Sequence, residues 1–371
     1  MKNRKKTGLY IHVPFCVRKC PYCDFYSVAS SKEKLYEQYA DAVIRNIKRY
    51  VRENPEIFFE TVYFGGGTPS LLPVYLYEKI MSEILLYTDF ERSEITIELN
   101  PGTSDEDKLR KLRSIGINRL SVGIQSAKDN ELKYLGRIHD FTQAKNIIND
   151  AYSAGFENIS ADLMIGVREQ TMESLMFSID GLTELPLKHI SAYMLKIEEG
   201  TEYFKNGMSE LVPDEDLVAD MYLALVEKLK EKGYFQYEIS NFSSKGYESR
   251  HNLRYWHCES YIGIGPSAHS YFNNKRYEVL GNLSEFILSD CQKEIINDEN
   301  PDDFFEIAML QLRLTEGLDT KLYPRYSEKI IKRATKLEKA KLISVSDGVI
   351  SMTPEGFLIS NSVITELLAD F

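Results

Sequence analysis

Gly8-Leu-Tyr-Ile-His-Val-Pro-Phe-Cys16-Val-Arg-Lys-Cys20-Pro-Tyr-Cys23-Asp-Phe-Tyr26 places three cysteines at the spacing C-x3-C-x2-C within one short loop. Three thiolates this close in sequence can bind three irons of a cubane iron–sulfur cluster and leave the fourth iron open to a small molecule. The apolar run Leu9-Tyr10-Ile11 ahead of the loop reads as a short buried strand. Cys16, Cys20 and Cys23 then leave a strand's carboxyl end, the edge at which α/β barrels carry function. Two blander readings stand beside this one: buried structural thiols, or a zinc site. Tetrahedral zinc wants four nitrogen or sulfur ligands, and the plausible fourth, His12, lies within the presumed strand.

Working outward, 371 residues with 43% apolar and 12% aromatic side chains suffice for one barrel and an appendage. No apolar run reaches the length of a membrane span, and Met1–Gly8 leads into the cysteine stretch without the apolar segment of a secretory signal, so a cytoplasmic location is expected. Five cysteines, three of them in one loop, make a poor disulfide framework; Cys258 and Cys291 are expected to be structural thiols. The net charge of −11 argues against a nucleic-acid binder. The basic stretch Lys2–Lys6 reads as a solvated, frayed terminus, capable at most of peripheral contact with an anionic membrane.

Downstream, strand and helix patterns alternate. Leu35, Tyr39, Val43, Ile47 and Val51 recur every four residues, a helical stripe. Thr61–Phe64 reads as a strand running into Gly65-Gly66-Gly67-Thr68-Pro69, where bare backbone amides permit close approach to a ligand. Ile95–Ile97 leads to Glu98 and a helix capped by Ser104; Arg119–Gln125 is the next strand, Asn158–Met164 carries Asp162, and His189–Leu195 is the sixth. This alternation predicts a parallel sheet with helices outside it, and puts Glu98, Gln125 and Asp162 at or near strand carboxyl ends. A long helix spans Asp214–Lys232, ended by Gly233. Tyr237–Phe242 and Ser249–Trp256 then read as strand-like, followed by a glycine-rich turn at Tyr261–Ala268. From Pro301 onward, helices at Phe304–Leu314 and Tyr326–Glu338 and a hairpin around Asp347-Gly348 give a small α+β, winged-helix-like domain. The expected division is 1–235, 236–300 and 301–371.

The words YIHVPFC with C-x3-C-x2-C and Tyr22, then GGGTP, IELNPG, SVGIQS, LGRIH and ADLMIG, resemble the radical S-adenosylmethionine (SAM) superfamily. YEISNF, HNxxYW and YxGxGPxA narrow the resemblance to the oxygen-independent coproporphyrinogen III oxidase family, in its haem-chaperone branch. The resemblance implies a partial (β/α)6 TIM-type barrel, a 4Fe–4S cluster on Cys16, Cys20 and Cys23, and SAM chelating the open iron. Around SAM it implies Tyr10, Tyr22, Gly66, Gly67, Thr68, Glu98, Gln125, Arg137 and Asp162, with Arg137 suited to a carboxylate. It associates His251, Asn252, Tyr255 and Trp256 with haem, with His251 a candidate axial ligand. Two functions follow: a haem chaperone serving an acceptor such as a respiratory protein, or an oxidase that decarboxylates coproporphyrinogen III. The oxidase branch carries a further cysteine two positions after the third, where this chain has Phe25. A DNA-binding winged-helix regulator would need a basic recognition helix, which the sequence does not supply. One departure from the family stands out: Val167-Arg168-Glu169-Gln170 replaces the usual Leu-Pro-Gly-Gln, which puts the shape of that loop in doubt.

Overall fold

A computed structural model describes residues 4–299, 301 and 304–369. The run at Leu9–Ile11 is the middle of a longer strand, β1 (Lys5–Val13), followed by β2 (Ile57–Gly66), β3 (Glu94–Leu99), β4 (Arg119–Gln125), β5 (Asn158–Ile165) and β6 (His189–Met194). These six pair in chain order, each parallel to the next. All seven residues of β4 are buried, as a strand covered on both faces requires. Helices Glu33–Glu53, Val74–Ile84, Glu106–Ser114, Phe141–Ser153 and Met172–Thr183 make the crossovers. The first of them buries Tyr39, Val43, Ile47 and Val51 as its spacing predicts, and the Tyr39 hydroxyl donates to the His12 carbonyl at 2.7 Å. The third starts one residue later than expected: Asp105, not Ser104, is its cap and accepts from the Lys108 amide at 2.8 Å.

The sheet continues past the barrel at both edges. Phe235–Glu238 and Asn241–Ser243 form a hairpin paired antiparallel on β6, and Tyr261–Ile264 lies parallel to β1 on its other side. His269–Phe272, Lys275–Val279 and Glu294–Asp298 add three antiparallel strands, giving one sheet of twelve. Between the two edges runs Arg250–Trp256, which is a helix and not the strand-like segment expected. Ser249 caps it, the Glu94 carboxylate takes the Arg250 and His251 amides at 3.1 and 2.9 Å, and His251 meets Tyr255 one turn on. Capping and this i, i+4 pairing outweigh the strand preference of Tyr255 and Trp256.

Lys5 and Lys6 are likewise not a frayed end. They pair with Ile57 and Phe58, and the Lys6 ammonium lies 2.6 Å from Glu60; Lys2 falls outside the described residues. Toward the C-terminus, Phe304 of the helix Phe304–Gln311 stacks on Tyr326 of Pro324–Lys339, and the latter helix packs with a three-stranded sheet whose hairpin turns at Asp347 and Gly348, both at positive φ. One continuous apolar core runs from Leu9 to Leu368. Among the described residues no helix is long and apolar enough to cross a membrane.

Candidate cluster, cofactor and haem site

The cysteine loop leaves β1 and folds over the carboxyl ends of the six parallel strands. A cavity of about 360 Å³ lies beneath it, lined by Cys16, Cys20, Cys23, Tyr22, Gly66, Gly67, Thr68, Glu98, Gln125, Arg137 and Asp162. Residues spread over some 150 positions thus meet in one place because all but Arg137, which follows the short helix Asp129–Tyr134, sit near or just beyond the end of a strand. Among the described residues no three His, Cys, Asp or Glu side chains converge as a single metal ion demands. Ligands to three different irons need no such convergence. His12 does not join them: its Nε2 donates to the Tyr26 carbonyl at 2.8 Å, which leaves Nδ1 to accept from the Tyr10 hydroxyl at 3.0 Å. The zinc reading loses its fourth ligand.

The glycine turn works differently from the expectation of bare amides. Gly66 N–H donates to Glu98 Oε2 at 3.1 Å, Gly67 N–H to the Val13 carbonyl at 2.8 Å and Thr68 N–H to the Phe15 carbonyl at 2.7 Å. What demands glycine is closeness: Gly66 has φ +108°, and a Cβ there would lie 2.6 Å from the His12 ring, while one on Gly67 would lie 2.7 Å from the Phe15 carbonyl. The turn clamps the cysteine loop to β2. Thr68 Oγ1 lies 3.6 Å from Cys16 Sγ and accepts from Asn100 Nδ2 at 2.9 Å. Arg137 approaches Cys20 Sγ at 3.7 Å and also donates to Asn100 Oδ1 and the Gly123 carbonyl. Asn100 therefore ties the two cysteine contacts together; sequence reading passed over it, although it lies two residues after Glu98 in the same word.

Deeper in the cavity two carboxyls face each other. Burial and the Asp162 charge push Glu98 up to about 7, while the Tyr63 hydroxyl at 2.9 Å partly offsets this. Burial pushes Asp162 up to about 6 against its bond from Ser121 Oγ at 3.2 Å. Two such groups offer acceptors for hydroxyls or a cation, and Arg137 offers a pairing partner for a carboxylate. Gln125 ends β4 at φ +76°, a left-handed conformation uncommon outside glycine. Tyr10 does not line this cavity.

Tyr10 lines a second, larger cavity of about 800 Å³, with Tyr26, Tyr63, Tyr255, Tyr261, His251, Asn252, His12 and His269. Lys19, Phe25, Glu98 and Tyr193 line both cavities, so the two adjoin. Trp256 is not part of either wall. His251 is 1% exposed and fully engaged: Nδ1 pairs with Thr61 Oγ1 at 2.8 Å, Nε2 with the Tyr255 hydroxyl at 2.7 Å, and its ring stacks on Tyr63. Burial drives its imidazole down to about 3, so the ring is neutral.

A parallel barrel under a three-cysteine loop is the arrangement of radical SAM proteins, and residues 10–180 match the model of the Radical SAM superfamily. Residues 299–359 match that of the HemN C-terminal domain. The chain is 33% identical to the heme chaperone HemW of Lactococcus lactis over 99% of its own length and 98% of that protein's. It is also 33% identical to HemW of Bacillus subtilis, over 97% and 99%. The chain belongs to the HemW family. The solved coproporphyrinogen III oxidase HemN from Escherichia coli shares the fold, at a TM-score of 0.85 and 21% identity, over 100% of this chain and 91% of that one.

Proposed function

We propose that this chain is a haem chaperone that carries haem beside a SAM-ligated 4Fe–4S cluster and hands it to an acceptor protein. The observation that supports this most is the second cavity: about 800 Å³, walled by tyrosines, adjoining the cysteine loop and bounded by the helix of the HNxxYW word. Aromatic faces suit a porphyrin, and the volume falls within the range of binding sites for small molecules and cofactors. In this reading Cys16, Cys20 and Cys23 hold the cluster, which when bound supplies an electron and an open iron. Tyr22, Gly66, Gly67, Thr68, Glu98, Gln125, Arg137 and Asp162 surround SAM, Arg137 toward its carboxylate. The oxygen acceptors Thr68, Glu98 and Asp162 match an ammonium and ribose hydroxyls, which the committed amides of the glycine turn do not. Tyr10 acts one step removed, holding His12 under the loop. His251, Asn252 and Tyr255 border the haem, and Trp256 ties their helix to Glu238 through a side-chain hydrogen bond. Residues 1–235 would carry cluster and SAM, 236–300 the haem wall and 301–371 a cap, in the reducing cytoplasm that thiolate ligands favour.

The second reading, oxidation of coproporphyrinogen III, draws on the shared HemN fold; Phe25 speaks against it, being an exposed phenyl ring between the two cavities where the oxidase branch has a cysteine. The test is anaerobic reconstitution followed by haem titration and an oxidase assay. Stoichiometric haem binding without protoporphyrinogen formation is expected; product formation would return the assignment to the oxidase. Alanine at Cys16, Cys20 or Cys23 should abolish the cluster's iron and sulfide, and a variant retaining both in full would remove the cluster assignment.

A further inference from the structure

We infer that His269, and not His251, supplies the imidazole that binds haem iron; the inference rests on the haem-chaperone reading above. Both histidines line the same cavity, but only one is available. For His251 to ligate, a hydrogen bond to Thr61 or Tyr255 must break, and the Tyr255 ring, packed edge-on against both His251 and Tyr261, must leave. Each such loss strands a buried polar group, which is unfavourable.

His269 is the opposite case. Its side chain is 63% exposed, and Nε2 lies 3.4 Å from a Glu278 carboxylate oxygen, its partner across the adjacent strand. Among the described residues Nδ1 has no hydrogen-bond partner and is open to a ligand. Metal-bound imidazoles commonly keep one ring nitrogen on a carboxylate, which fixes the ring and strengthens its donor character. The backbone beneath is held firmly: Ala268 N–H donates to the Gly265 carbonyl at 3.1 Å, Ser267 N–H to the Val279 carbonyl at 3.0 Å, and Gly265 passes so near the His12 carbonyl that a Cβ would lie 2.5 Å from it. A fixed main chain with an unencumbered imidazole is what ligand exchange requires, since a chaperone must release its cargo as well as hold it. The rest of the wall fits. Phe25 and Tyr26 offer faces for the macrocycle, and Lys19, on the cysteine loop, offers a cation for a propionate.

The experiment is a haem titration of the anaerobically reconstituted full chain and of His269→Ala and His251→Gln, with SAM binding and cluster content as controls of folding. His269→Ala should lose the imidazole signature of the Soret region and at least about tenfold in affinity, and added imidazole should restore the band. His251→Gln should keep the signature. Glu278→Gln, which weakens the carboxylate's hold, should raise the haem midpoint potential. Haem binding by the wild type with an unchanged His269→Ala spectrum would overturn this assignment while leaving the chaperone reading in place; a wild type that binds no haem would overturn both.

Discussion

Glu169 occupies the position that glycine holds in the family's Leu-Pro-Gly-Gln word, and it adopts glycine's conformation, φ +60°. The Gln170 amide donates to the Val167 carbonyl at 2.9 Å, closing a four-residue turn with its left-handed residue third, as a type II turn has. Gln170 Oε1 accepts from Gly166 N–H at 2.7 Å, and Nε2 reaches Glu131 and the Met164 carbonyl, so buried bonds hold the turn in place. The loop shape that the substituted residues put in doubt is therefore imposed by Gln170, and Glu169 bears the strain. Glu169→Gly should raise stability by about 0.5–1 kcal/mol in denaturant unfolding, the left-handed penalty less glycine's greater freedom when unfolded. Glu98 gives a second test. A carboxyl pushed up to about 7 stabilises the fold at acid pH, where it is protonated in both states, and that contribution disappears as pH rises through its folded value. His251, driven down to about 3, acts oppositely, its contribution being lost as pH falls below the ordinary imidazole value. The Glu98 effect must therefore be read as a difference: in the cofactor-free protein, Glu98→Gln should gain stability over wild type between about pH 5 and about pH 8. A pH-independent difference would show that Glu98 is not perturbed. Glu98 was legible from its place after a strand pattern; Asn100, Tyr63 and His269 were not, because their contacts come from other strands.

At the scale of elements, the helix Arg250–Trp256 depends on a residue from elsewhere in the sheet. Glu94, the first residue of β3, is 6% exposed and accepts both of its leading amides. Negative charge at a helix N-terminus is favourable, and buried amides without acceptors are costly. Glu94→Ala should destabilise the protein by roughly 2 kcal/mol and weaken haem binding while the reconstituted cluster survives. Glu94→Gln, which keeps an oxygen acceptor, should recover part of the loss; a haem affinity unmoved by either change would separate this helix from the haem site. The six parallel strands could be read from sequence because each stands between its own helices in local order. Arg250–Trp256 could not, since beyond its local cap Ser249 the carboxylate that takes its leading amides, Glu94, lies more than 150 residues away.

For the whole molecule, the joint wall of the two cavities has a thermodynamic consequence. Glu98, Phe25, Lys19 and Tyr193 serve both spaces, so an occupant of one alters the surroundings of the other. Binding linkage is reciprocal: if SAM changes haem affinity by roughly fivefold or more, haem must change SAM affinity by the same factor. Titrating each in the presence and absence of the other should show equal factors, reduced in Phe25→Ala; identical haem affinities with and without SAM would mean the spaces are independent. The barrel class and the small C-terminal hairpin were readable in advance, but the twelve-strand order was not, because pairing Tyr261–Ile264 with β1 leaves no local trace.

That pairing also sets a timetable for synthesis. β1 emerges first and finds β2 soon after, but its other neighbour, Tyr261–Ile264, is made roughly 250 residues later. At about 5–20 residues per second this leaves one side of β1 unpaired on the nascent chain for on the order of 10–50 s. The cysteines follow directly from that half-paired strand, and the turn carrying Gly265, which packs on His12 just ahead of them, arrives only then. If the loop holds the proposed cluster, delivery of iron and sulfide to it therefore belongs late in the life of the nascent chain, after its most distant strand has been made.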